Sequence, residues 1–208
     1  MIGTSPRRLD FDGLTIAFDA RVLRPRPWTE EQARWAADLL PDMPPGPVLE
    51  LCSGAGQIGL TAIRSTDRTL VCVDVNQAAI AFGRVNARQA GLEARVELRL
   101  GGIDDVLHLG ETFSLVIADP PWVTSAEVAM FPEDPRSAID GGGDGLAVAR
   151  LCLRAIEEHL GVGGAALLQL GSVDQVAALL SLARVSLRCL EVRRYDGGVV
   201  ARLDRADT

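Results

Sequence analysis

An acid, two prolines and an indole, Asp119-Pro120-Pro121-Trp122, follow directly on the apolar run Phe113–Ala118. Neither proline can donate a hydrogen bond, and each holds its own φ near about −65°. The residue before each proline is pushed towards an extended conformation. The outcome is a stiff, non-helical turn that presents a carboxylate, a proline carbonyl and a ring at the carboxyl end of a buried strand. In open parallel sheets that is where ligands bind. A lone Pro-Pro also serves as a plain strand-to-loop turn, so the decision falls to a glycine loop further upstream.

That loop is Glu50-Leu51-Cys52-Ser53-Gly54-Ala55-Gly56-Gln57-Ile58-Gly59, between an apolar run and an amphipathic one. Gly54 and Gly56 let the backbone turn tightly and approach a ligand with no Cβ in the way. The next apolar run ends at Asp74, where a carboxylate can accept both hydroxyls of a ribose. No G-K-[ST] follows the loop, so a nucleoside triphosphate is not expected. The Gly54, Gly56, Gly59 spacing on its own permits a dinucleotide. Glu50 argues the other way: an acid ahead of the first glycine suits a ligand carrying positive charge, such as the sulfonium and α-amino groups of S-adenosyl-L-methionine.

Several elements must position these residues. Strand-length apolar runs at 47–51, 69–74, 95–100, 113–118 and 164–170 alternate with amphipathic segments near 57–65, 76–90 and 145–160. Such near-continuous apolar strands, each followed by a helix, predict a parallel sheet covered on both faces. A helix at 173–183 and strands at 185–192 and 198–203, joined through Gly197-Gly198, add an antiparallel hairpin. At the N-terminus, 1–13 reads as a loose tail. Two short strands, 14–18 and 21–23, then turn at Asp19-Ala20. A helix follows over 30–40, with Thr29 as its N-cap and Gln32 completing a capping box. Asp144 is the expected N-cap of the 145–160 helix. Residues 1–45 form an N-terminal extension capping the site, and 46–208 the main domain.

The bulk properties exclude other classes. The chain has 208 residues, 48% hydrophobic and 24% charged, as in a soluble globular protein. Its net charge of −7 disfavours a grip on long nucleic acid, which draws affinity from many Lys and Arg. Cys52, Cys72, Cys152 and Cys189 are scattered without a C-x-x-C pair, and His108 and His159 are isolated, so no metal site is expected. With no apolar leader and no stretch of about 20 apolar residues, the expectation is a reduced, cytoplasmic protein that does not enter a membrane.

Glu50-x-x-x-Gly54-x-Gly56, Asp74 and Asp119-Pro120-Pro121-Trp122, in this order, resemble the amino-methylating class I S-adenosylmethionine-dependent methyltransferases. Two further blocks narrow the resemblance to the HemK/PrmC family of release-factor glutamine methyltransferases. Arg24-Pro25-Arg26-Pro27-Trp28-Thr29-Glu30 is similar to its P-R-P-x-T-E segment. Asp134-Pro135-Arg136-Ser137-Ala138-Ile139-Asp140-Gly141-Gly142-Gly143-Asp144-Gly145-Leu146 is similar to its E-P-x-x-A-L-x-G-G-x-D-G-L block. The likeness covers about residues 14–170. Three departures stand out: Asp119 and Trp122 replace the asparagine and tyrosine of N-P-P-Y, Gly102 stands where an acid usually contacts adenine, with Asp104 and Asp105 just after it, and the long N-terminal helical domain is missing.

The resemblance implies an α/β, Rossmann-like fold with a seven-stranded, mostly parallel sheet, helices on both faces and an antiparallel C-terminal strand. It implies S-adenosyl-L-methionine as cofactor, held by Thr29, Glu50, Cys52, Gly54, Gly56, Asp74, Val75, Gly102, Ile103 and Asp119. Arg26, Trp28, Pro121 and Trp122 would hold the substrate, and Asp119, Pro120 and Trp122 would carry the chemistry. An amide nitrogen is a poor nucleophile because its lone pair is delocalised. The side chain of Asp119 and the carbonyl of Pro120 would accept its two N–H groups and turn the lone pair towards the methyl donor, positioning and electrostatics together. The implied acceptor is a protein glutamine. Alternatives are an RNA or DNA base amine, a small-molecule amine, or a non-catalytic cofactor-binding partner protein. An activating partner or a homodimer stays open.

Overall fold

A computed structural model describes residues 5–183 and 187–205. Strands β1 (Arg7–Phe11) and β2 (Leu14–Phe18) form a separate two-stranded sheet. Strands β3 (Val48–Leu51), β4 (Leu70–Asp74), β5 (Val96–Leu100), β6 (Phe113–Ala118), β7 (Leu160–Leu170), β8 (Leu187–Tyr195) and β9 (Gly198–Arg205) form the main sheet in the order β5-β4-β3-β6-β7-β9-β8. Strands β3 to β7 are mutually parallel, and β9 runs antiparallel between β7 and β8. The helices are α1 (Thr29–Leu39), α2 (Gln57–Ile63), α3 (Gln77–Gln89), α4 (Ile103–Val106), α5 (Arg136–Ile139), α6 (Ala147–His159) and α7 (Val173–Leu180).

The central parallel strands β3, β4 and β6, and β7 over 164–170, are buried on both faces, which is why they read as apolar runs, whereas the edge strand β5 (VELRL) is half-exposed. Alternate residues feed two cores. Val48, Cys72, Leu115 and Leu167 face a layer that includes α1, α2, α3 and the small hairpin. Leu49, Val73, Val116 and Leu168 face α6 and α7. Chain order reverses at β3, which pairs with β4 on one side and β6 on the other. The crevice outside the carboxyl ends of β3 and β6 is therefore the switch point where such sheets bind ligands.

The N-terminal expectations need correction. The stretch expected as a tail contains β1, whose RRLDF pattern puts charge on the solvent side and Phe11 in the core; residues 1–4 of that tail lie outside the described residues. The hairpin turns at Asp12-Gly13, both at positive φ, and not at Asp19-Ala20. That is an Asp-Gly turn of the kind that matches strand twist. Asp19 instead accepts from the backbone N–H and the guanidinium of Arg21, and 21–23 is not a strand.

Thr29 is the first helical residue of α1 and does not cap it; its hydroxyl donates to the Arg26 carbonyl at 2.8 Å. Gln32 makes no capping box. Its Nε2 donates to the carbonyls of Ala118 and Leu167, both at 3.2 Å, tying α1 to β6 and β7. Asp144 lies short of the N-cap of α6, which is Leu146, and accepts from the Leu146 N–H. Strand β7 starts at Leu160, directly after α6, where a loop was expected. The expected helix over 173–183 ends at Leu180, and positions 185–186 of the strand expected after it lie outside the described residues.

Candidate active site

The site is built from two turns on neighbouring strands. Leu51 and Ala118 are register partners, so the chain leaves β3 at Cys52 and β6 at Asp119 side by side. The first turn passes through positive φ at Cys52 (57°), Gly54 (52°) and Gly56 (79°) before α2 begins. Two of these are glycines, as left-handed backbone prefers; Cys52 adopts it with a side chain. Its thiol touches that of Cys152, and this contact and burial push it up, so it stays protonated.

Asp74, at the end of β4, accepts from the Gly54 N–H at 2.7 Å and the Asn76 N–H at 2.8 Å, one on each oxygen. The Val75 N–H also bonds the carboxylate, and a carboxylate's two oxygens offer about four acceptor sites in all, so at least one stays open to a ligand. Burial raises its carboxyl above the ordinary value, opposed by those backbone bonds. A cleft is lined by Thr29, Cys52, Gly54, Asp74, Val75, Gly102, Ile103 and Asp119.

A second cavity, of about 380 Å³, adjoins it and shares Leu23, Arg26, Asp119, Pro121 and Ala138 with it. Asp119 lines both. Burial pushes its carboxyl up to about 7. Pro120, Trp122 and Trp28 line the second cavity, and among the described residues no donor is bonded to the Pro120 carbonyl. Arg26 and Pro121 line both spaces. Arg26 is ion-paired with the buried carboxylate of Asp134, and its guanidinium lies 5.6 Å from the Trp28 ring centroid. The Trp28 ring packs on Gly197, in the β8–β9 turn, where a Cβ would collide with the ring.

The glycine-rich block supports the Pro-Pro turn from behind. Val123 N–H donates to the Ile139 carbonyl at 3.0 Å, and Gly141 N–H to the Val123 carbonyl at 2.8 Å. A Cβ at Gly141 would fall 2.7 Å from the Pro121 carbonyl, and one at Gly145 (φ 73°) would collide with the Trp122 carbonyl. Trp122 is further held by Gln175, whose Nε2 donates to its carbonyl at 3.0 Å, and its ring packs on Gly171.

Two residues expected at the cofactor lie elsewhere. Glu50 is 1% exposed and lines neither cavity. It sits under the glycine turn, accepting from the Gly59 N–H and, at 3.4 Å, from the Cys72 thiol. Burial pushes it up to about 8, with the nearby carboxylates of Asp119 and Asp74 adding to the shift. It lies beneath the turn and not on the cleft wall, so it does not face the cofactor space directly. Gly56 turns against Leu60 and Gly83 below the cleft. Near Gly102, Asp104 is paired with Arg154 at 2.7 Å. The Asp105 carboxylate stands 2.6 Å from where a Gly102 Cβ would be, and neither acid lines the cleft.

Sequence reasoning missed Gln169, which lines the second cavity, and the Asp196–Gly198 turn beside it. Gln169 had a legible signal: it is the one polar residue in 164–170. Asn76 and Leu151, also in the cleft, carried none.

The sheet order and a switch-point cleft lined by Asp74 and Asp119 are those of a class I S-adenosylmethionine-dependent methyltransferase. Residues 34–156 match the model of the methyltransferase small domain family; the chain belongs to that family, on its HemK/PrmC-like side. It is 27% identical, over 95% of its length and 70% of the relative's, to a release factor glutamine methyltransferase of Clostridium acetobutylicum. It is 34% identical to a ribosomal protein uL3 glutamine methyltransferase of Bradyrhizobium diazoefficiens, over 76% of this chain and 54% of the relative. The chain thus spans roughly half to two-thirds of these longer relatives. Among solved structures, the ribosomal protein L11 methylase of Lactobacillus delbrueckii subsp. bulgaricus superposes with a TM-score of 0.67. It is 14% identical, and the match covers 91% of this chain and 84% of that one; it shares the fold.

Proposed function

We propose that this protein methylates the side-chain nitrogen of a glutamine in a protein substrate, a translation factor or ribosomal protein of the kind its relatives are named for. One observation carries the reading: Asp119 belongs to both cavities, so an acceptor in the second is placed against a donor in the first.

Asp74 and the backbone at Gly54 and Gly102 would hold S-adenosyl-L-methionine, with Val75 and Ile103 against its base. When bound, that cofactor supplies a methyl group on a sulfonium sulfur. The Asp119 carboxylate and the Pro120 carbonyl accept the two N–H groups of the acceptor nitrogen and free its lone pair. Transfer of that methyl to the nitrogen would leave the donor as a neutral thioether and put a positive charge on the nitrogen, which the Asp119 carboxylate and the Pro120 carbonyl would stabilise. One N–H proton passes to Asp119. A carboxylate accepts more strongly than an amide oxygen, and a carboxyl near 7 is matched to taking a proton at neutral pH. Trp28 and Trp122 give the acceptor's planar group apolar walls. The N-terminal stretch up to about residue 45 serves as a cap, supported by the place of Val22, Arg24, Arg26 and Thr29 along the cleft. Four free cysteines suit a reducing, cytoplasmic setting. No described helix is long and apolar enough to cross a membrane.

A nucleobase amine is the second reading, favoured by Asp119 and Trp122. Asp196 at the second cavity, where Asp134 and Arg26 neutralise each other, and the net charge of −7 weigh against phosphate-bearing substrates. The test is transfer of labelled methyl from S-adenosylmethionine to purified release factor, ribosomal protein uL3 and total RNA. Label in either protein, lost in Asp119→Ala, is expected; label in RNA alone would replace the glutamine reading with the nucleobase one.

A further inference from the structure

Strand β7 is buried throughout 164–170, and Gln169 is its only polar side chain there. It is 2% exposed, and its Oε1 has no hydrogen-bond partner among the described residues. Leu168 and Leu170 face the α6–α7 core while Leu167 faces the opposite one. Strand alternation therefore turns Gln169 to the α1 side, where the second cavity lies. Ala118 and Leu168 are register partners, so Gln169 stands next to Asp119. Both line that cavity, with Pro120 and Trp122. A buried amide oxygen without a partner costs folding free energy that a leucine would not, and at Gln169 that cost falls on a cavity wall beside Asp119.

We propose that Gln169 is an acceptor-binding residue that selects a carboxamide. The inference rests on the glutamine reading above and adds the group that recognises the other half of the amide. A carboxamide has two N–H groups and one carbonyl. Asp119 and Pro120 supply two acceptors for the former, and the carbonyl needs a donor. The Arg26 guanidinium is engaged by Asp134. The fully buried atom is Oε1, which leaves Nε2 on the cavity side, where its N–H can donate to the acceptor's carbonyl and fix the plane of its amide. An amine has no such carbonyl and leaves the Gln169 group unpaired, the condition under which a site discriminates strongly.

The test uses the full chain with release factor or uL3 as acceptor and compares wild type, Gln169→Leu and Gln169→Glu. Both variants should raise the acceptor KM by about tenfold or more, with the cofactor Kd unchanged by calorimetry. Glu should be no better than Leu, because it offers no donor at neutral pH. The melting temperature of Gln169→Leu should equal or exceed that of wild type. Wild-type kinetics in Gln169→Leu overturn the assignment and leave the glutamine reading intact. A lower melting point or lost cofactor binding marks a structural role and also overturns it. Wild type that binds cofactor but methylates neither protein overturns the glutamine reading, and this role with it.

Discussion

The carboxylate of Asp74 accepts from the backbone N–H of Gly54 at 2.7 Å, so the end of β4 holds the glycine turn that follows β3. One side chain thus shapes the turn and, on the function proposed above, would also accept from the cofactor's ribose. Asp74→Asn keeps the size but puts an NH₂ where one of the backbone N–H groups needs an acceptor. Hydrogen bonds to a charged group are worth about 1.5–3 kcal/mol, so the cofactor Kd should rise by roughly ten- to a hundredfold. Calorimetric titration measures it. An unchanged Kd would show that the cleft holds its ligand without this acid.

Gly145 makes the opposite kind of demand. Its φ of 73° and its approach to the Trp122 carbonyl leave no place for a Cβ. Gly145→Ala should push the Pro-Pro turn out of place, costing about 1 kcal/mol or more in stability. Methyl transfer should fall well beyond the change in cofactor affinity, because the strain lands on the acceptor side. Measuring kcat and cofactor Kd on one preparation separates the two; a parallel loss of both would locate the damage in the cleft.

The central parallel strands were legible because residues buried on both faces leave apolar runs whatever lies around them, while the edge strand β5 alternates apolar and charged residues. The two turns were legible too, since Gly54 and the paired prolines announce their backbone locally. Side chains whose partners are distant in sequence were not. Gln32 satisfies carbonyls 86 and 135 positions away. Asn86 bonds both backbone groups of Ala17 and the Ala55 carbonyl, joining the hairpin to the glycine turn. Glu50 was misplaced for a related reason: spacing puts an acid near the loop but does not say whether it points up at a ligand or down at Gly59.

Glu50 also sets a pH dependence. Its folded carboxyl is raised to about 8 from an ordinary value of 4.5. The folded state therefore binds its proton more tightly than the unfolded chain does. Stability from this group is fully present below about pH 4.5 and is lost as pH rises through 8. Glu50→Gln is isosteric, stays neutral and can still accept from Gly59 and Cys72. Its melting temperature should match wild type near pH 5 and exceed it at pH 8. Equal melting curves across that range would mean that Glu50 ionises without penalty.

Asp119 links the same physics to turnover. Its carboxyl is raised to about 7, from 3.8, by burial alone, and it must be ionised to accept both a hydrogen bond and a proton. Activity should therefore rise with pH through a limb near 7 and level off above it, while folding stability moves the other way, falling as pH climbs from about 4 through 7. Asp119→Asn keeps a hydrogen-bond acceptor but cannot take the proton or titrate. It should lose the limb, with kcat reduced by about ten- to a thousandfold and cofactor affinity little changed. A wild-type profile flat between pH 5.5 and 8.5, or a limb that survives in Asp119→Asn, would remove the proton-accepting role from this residue and leave it only the positioning of the acceptor nitrogen.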